Sequence, residues 1–162
     1  ENEFPYAEEK VACGAPHPHH ETLLTWDYVG GLGPSRQAST SELKDAIYNH
    51  GPVFTGICVG FWFDAMWYPG NYLLQHDDTS SCPVVPSWAP NHVVAIVGWN
   101  DSIIVPEYGI YGAWLVKNSW GTWWGDSGYG WVPYGFSMTG YRSSYVIRSE
   151  PGLLMGILQA LP

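Results

Sequence analysis

The run from Gly112 to Gly125 constrains the fold more than any other part of the chain. A β-rich stretch, Ala113-Trp114-Leu115-Val116-Lys117, runs directly into Asn118-Ser119-Trp120-Gly121-Thr122-Trp123-Trp124-Gly125. This pattern predicts a strand that enters a tight, glycine-punctuated aromatic turn. The turn carries one side-chain amide, Asn118, and such an amide is informative when a neighbouring group needs orienting. That group stands upstream, in Asn91-His92-Val93-Val94-Ala95-Ile96-Val97-Gly98-Trp99, where a histidine heads a buried strand.

The elements around these two stretches follow from local signals. Ser39 and Glu42 form a Ser-x-x-Glu capping box, Leu43, Ala46 and Ile47 recur at helical spacing, and Gly51-Pro52 stops the run; one clear helix is expected at about 39–49. Strands are expected at 23–29, 53–59, 92–99, 113–117, 128–132 and 145–147, with Asn100-Asp101 as a turn and 102–112 as a loop or hairpin. Short strands separated by turn signals indicate an antiparallel sheet curled toward a barrel. With 19 glycines, 13 prolines and 10 tryptophans among 162 residues, the composition favours this over a helical bundle.

Charge and hydropathy exclude several functions. The net charge of -9 argues against a nucleic-acid or anionic-membrane partner. No apolar run approaches the roughly 20 residues of a membrane span. The beginning, Glu1-Asn2-Glu3-Phe4, has no basic segment or apolar signal core, and the chain reads as a fragment or a processed product. His17, His19 and His20, and likewise His76, Asp77 and Asp78, lack a standard ligand spacing; solvated loops are expected there and no metal site.

His92 and Asn118 make chemical sense together. A catalytic imidazole needs one ring nitrogen toward the reaction and the other held by an acceptor. An amide oxygen provides that hold without net charge, which suits a thiolate–imidazolium pair better than a carboxylate that would compete for the cation. Trp120 is placed to cover the hydrogen bond between them. Taken singly, each of these residues is more ordinarily structural: a strand-end histidine, a turn asparagine, core tryptophans.

As a set, Asn91 to Trp99, Trp114 to Gly125 and Gly128-Tyr129-Gly130 resemble the C-terminal half of a papain-like cysteine peptidase. Phe4-Pro5-Tyr6 with Cys13, and the helix leading into Asn49-His50-Gly51-Pro52-Val53, extend the resemblance over about residues 1–148, leaving 149–162 as an apolar tail. The resemblance implies an α+β papain-like fold, mainly its antiparallel β-barrel-like lobe. It implies His92 as base, Asn118 as orienter and Trp120 as their shield. Asn91, Val93 and Trp124 would meet a peptide or protein substrate, Val93 near the pocket for the second residue before the scissile bond. It implies no cofactor and a secreted or lysosome-like setting.

The nucleophile segment that this family carries at a helix N-terminus is absent. Cys58 reads as a small buried residue in an apolar strand. Cys13 and Cys82 resemble the family's disulfide positions, with the partner of Cys13 expected in the missing half and no late cysteine near 141–145 for Cys82. The expectation is a His/Asn-bearing half that needs a separate cysteine-bearing lobe and is inactive alone. The alternative is a peptidase-like binding module that performs no chemistry.

Overall fold

The computed structural model describes residues 23–31, 33, 36–67, 70, 72–82 and 89–148. The chain divides into two units. Residues 25–147 form the larger one, and it holds everything discussed below; the other, residues 1–24 with 148–162, is described only at Leu23, Leu24 and Arg148. His17, His19, His20, Cys13 and the 149–162 tail lie outside the described residues.

The capping box sets the start of helix α1 (Thr40–His50). The Ser39 hydroxyl accepts from the Glu42 amide, and the Glu42 carboxylate accepts from the Ser39 amide at 2.8 Å. Gly51, at φ 85°, closes the helix with its amide on the Ile47 carbonyl. The Arg36 guanidinium also reaches Glu42, at 2.7 and 3.0 Å. These bonds, Arg36 first and Ser39 next, hold the Glu42 carboxyl down at about 2. Leu43 and Ala46 give α1 its buried stripe.

Six strands form one sheet: β1 (Leu23–Tyr28), β2 (Val53–Ile57), β3 (His92–Val105), β4 (Ile110–Lys117), β5 (Tyr129–Pro133) and β6 (Tyr141–Arg148), in the order β1-β6-β2-β3-β4-β5. The β2/β3, β2/β6, β3/β4 and β4/β5 pairings are all antiparallel. Val53, Ile57, Ile96, Trp114, Val116 and Val132 supply the buried centre. Two differences from the sequence expectation stand out. Asn100-Asp101 does not end β3, which runs on to Val105 and pairs Ile104 with Tyr111 across an irregular register. Phe61–Asp64, which the sequence reading assigns to no element, form a short helix, α2.

A staple holds α2 in place. Asp78, buried, accepts from the Phe63 amide at 2.7 Å, and Asp77 accepts from the Ser137 amide at 2.6 Å. The acidic loop is therefore structural on these two residues. Cys58 and Cys82 are bonded to each other, with Cα atoms 5.4 Å apart. Cys58 is thus a cystine half, which also supplies the partner that Cys82 lacks near 141–145. Closing a loop of 24 residues removes denatured-state entropy worth about 3 kcal/mol. Replacing both cysteines by serine should lower the thermal midpoint by roughly 6–12 °C; an unchanged midpoint would show that the loop is held without the bond.

Candidate active site

Strand register brings the two predicted side chains together. His92 opens β3 opposite Ile57 of β2, and β3 pairs Ala95 with Lys117, the last residue of β4. Asn118 follows immediately, so the end of β4 lies beside the start of β3. Its backbone N–H donates to the Gly128 carbonyl at 2.9 Å, folding residues 118–128 into a closed turn. Gly125, at φ 59°, is required in that turn because a Cβ there would collide with the Tyr129 carbonyl oxygen.

His92 Nε2 lies 2.9 Å from Asn118 Oδ1. The same oxygen accepts from the Ser119 backbone N–H at 2.8 Å. Because a backbone N–H only donates, this second bond fixes which end of the amide faces the ring. Nε2 must then carry hydrogen, and Nδ1 is the nitrogen left for exchange of a proton. Asn118 is 6% exposed, and its Nδ2 is buried without an acceptor among the described residues. A buried, unsatisfied donor costs about 1–3 kcal/mol, a type of strain that concentrates at functional sites.

An aromatic box surrounds this hydrogen bond. The Trp120 ring lies 5.0 Å from His92, and Phe63 packs edge-on to both, at 6.3 Å from His92 and 5.7 Å from Trp120. Trp124 is fully buried behind this wall, 4.9 Å from Phe63, with its indole N–H on the Phe63 carbonyl at 3.2 Å. The exposed indole of the turn is Trp123. Apolar rings around a polar pair exclude competing water and strengthen the bond electrostatically.

Asn91 is engaged as a clamp. Its side chain accepts from the Val59 amide at 2.7 Å and donates to the Val59 carbonyl at 2.9 Å, tying the segment after β2 to the head of β3. Val93 is 59% exposed and lines a cleft of about 360 Å³ beside His92, with Phe54, Pro90 and Arg142. Phe63, Asp78 and the Ser119 amide were not legible as parts of the site. Phe61-Trp62-Phe63 reads as one apolar run, and Asp78 lies 15 residues from the helix it caps. With Cys58 and Cys82 joined, no free thiol stands among the described residues. Nor does any cluster of three metal-ligating side chains occur among them. Among the described residues no helix is long and apolar enough to cross a membrane.

An antiparallel sheet that presents an imidazole held by an amide, under an aromatic cover, places the chain with proteins that orient a histidine without a carboxylate. The chain belongs to the papain family of cysteine proteases, whose family profile it matches over residues 1–148. It is 30% identical over 129 residues to a cathepsin L-like protein of Caenorhabditis elegans, covering 80% of this chain and 33% of that one. Over 99 residues it is 37% identical to the oryzain gamma chain of Oryza sativa, covering 61% and 24%. Among solved structures, the proform of the ragweed pollen cysteine protease Amb a 11 is 29% identical with a TM-score of 0.53, covering 80% of this chain and 35% of that one. Bromelain from Ananas comosus shares the fold at 20% identity and a TM-score of 0.60, covering 90% and 60%. The chain spans about a third of the length of the cathepsin L-like relative.

Proposed function

We propose that this chain supplies the base and its orienter to a cysteine-type endopeptidase, and that a separate cysteine-bearing half supplies the nucleophile. The observation that carries the reading is the His92–Asn118 hydrogen bond, with the amide fixed by Ser119 so that Nδ1 is the working nitrogen. In the assembled site a thiolate attacks the peptide carbonyl. The imidazolium then gives its Nδ1 proton to the leaving amine, and neutral His92 draws a proton from the water that frees the acyl group. Asn118 holds the ring through both steps, and Trp120 with Phe63 keeps water off the hydrogen bond. Val93 and the cleft beside it receive the second residue before the scissile bond. Asn91 shapes that cleft through its clamp on Val59, and Trp124 backs the Phe63 wall. Residues 1–148 act as one peptidase portion in this reading. The Cys58–Cys82 bond fits an oxidising, secreted or lysosome-like setting.

The 162 residues alone should hydrolyse no peptide, and joining them to the cysteine-bearing half should yield hydrolysis that an E-64-type inhibitor blocks. Inhibitor-sensitive cleavage by the chain alone would overturn the division of labour. The lack of a free thiol among the described residues motivates a second reading, a peptidase-like module that binds peptides without cleaving them. The sequence upstream discriminates: a helix-opening cysteine in a Cys-Gly-Ser-Cys-Trp-like segment supports the enzyme, and Ser or Gly in its place supports the binder.

A further inference from the structure

We propose that Asn100 is a glycosylation site, its side-chain amide taking an oligosaccharide from a lipid-pyrophosphate carrier in the secretory pathway. The inference rests on the secreted or lysosome-like setting of the reading above. Of the six asparagines in the chain, Asn100 alone heads the acceptor triplet Asn-x-Ser/Thr, as Asn100-Asp101-Ser102. The Cys58–Cys82 bond bears on the same setting, because disulfides persist in the compartments where such transfer takes place. In the transfer, Asn100 Nδ2 bonds to the anomeric carbon of the sugar and the bond from that carbon to the pyrophosphate oxygen breaks. The lipid pyrophosphate departs with the electron pair, and one amide proton passes to a base of the transferring enzyme.

The fold presents this triplet as a bulky surface group requires. Asn100 and Ser102 are both exposed. Asn100 Oδ1 accepts from the Ser102 backbone N–H at 2.9 Å. A backbone N–H only donates, so the oxygen faces the chain and Nδ2, the atom to be modified, is the end turned away from it. Neither Nδ2 nor the Ser102 hydroxyl has a hydrogen-bond partner among the described residues. The middle residue does the anchoring instead: the Asp101 carboxylate accepts from Lys44 Nζ at 2.6 Å and from the Tyr134 hydroxyl at 2.8 Å. A glycan on Asn100 therefore displaces no contact that holds the hairpin to the body. Pairing of β3 with β2 runs from His92 to Ile96, so Asn100 lies past it, where β3 is paired with β4 alone. At about 3.3 Å per residue along β3, Asn100 stands roughly 25 Å from His92, clear of the candidate active site.

The test expresses the full-length protein in eukaryotic cells under its own N-terminal sequence and reads its mass. The protein should carry one added glycan on the triplet, removed by peptide N-glycosidase with conversion of Asn100 to aspartate in the peptide that spans it. Asn100→Gln and Ser102→Ala should each abolish the added mass, and Ser102→Thr should keep it, since threonine supplies the same hydroxyl. The two losses come from different side chains, so a folding defect in one variant leaves the other to decide. A glycan that survives both substitutions, or an unmodified Asn100 in protein whose Cys58–Cys82 bond has formed, overturns the inference and leaves the proposed setting standing. Free thiols at Cys58 and Cys82 together with an unmodified Asn100 overturn both. A glycan on Asn100 in protein that hydrolyses no peptide sinks the peptidase reading and leaves this one intact. Where hydrolysis is present, Asn100→Gln should leave kcat/KM unchanged, as its distance from His92 requires.

Discussion

Replacing His92 by alanine, in the protein that carries both halves of the site, should lower kcat/KM by at least about 10³-fold, a loss of roughly 4 kcal/mol of transition-state stabilisation. The magnitude follows from what the ring does. In the proposed site it would deprotonate the thiol, stay beside the thiolate as its counter-ion and deliver a proton to the leaving amine, so one substitution would remove three roles. The loss should fall mainly on kcat, because His92 is only one of the residues lining the cleft proposed to hold substrate, and Phe54, Pro90 and Val93 remain in place when its ring is removed. Asn118→Ala should cost less, since it frees the ring without deleting it. The ring of His92 touches Phe63 and Trp120, so circular dichroism and the thermal midpoint must be followed in parallel. Folded protein that keeps more than about a tenth of its activity after His92→Ala would remove His92 from the role of base.

Much of this arrangement was legible in the residues, and the parts that were not share a physical cause. Helix α1 was readable because its signals are local: Ser39, Glu42 and Gly51 act on backbone within one turn of themselves. His92 and Asn118 were readable because each heads or follows a strand with an unambiguous β pattern. What sequence spacing does not carry is partnership across long separations. Asp78 as the cap of α2, Cys82 as the partner of Cys58 and Arg142 beside Val93 depend on how loops return to the sheet. The extension of β3 past Asn100-Asp101 has the same origin. A turn dipeptide is a weak local preference, and pairing of Ile104 and Val105 with Tyr111 and Ile110 on β4 outweighs it. Trp124 shows the limit from the other side. Its position in the motif implied contact with substrate, whereas its surroundings place it at 0% exposure behind Phe63.

Phe63 is where fold and site are one object, and Phe63→Ala should show it by destabilising the chain by about 3–5 kcal/mol. The side chain is fully buried and touches Trp124, Trp120 and His92. Alanine leaves a cavity that none of these planar rings fills without leaving its own neighbours. The cavity opens beside His92, the ring that Asn118 holds, and Asn118 Nδ2 is buried without an acceptor among the described residues. Water entering there gains a partner in that donor and then competes for Asn118 Oδ1, weakening its hold on His92 Nε2. Stability and kcat should therefore fall together, with KM moving less. Phe63→Leu separates the two effects. It restores much of the volume, so the stability loss should shrink to less than half that of alanine, while the edge-on ring contacts with His92 and Trp120 are lost in both variants. Urea unfolding and steady-state kinetics on the pair of variants read this directly. If leucine recovers stability and kcat to the same degree, Phe63 serves the site only as filling. If stability returns and kcat does not, the ring itself positions the imidazole, and the aromatic wall is part of the catalytic geometry in its own right.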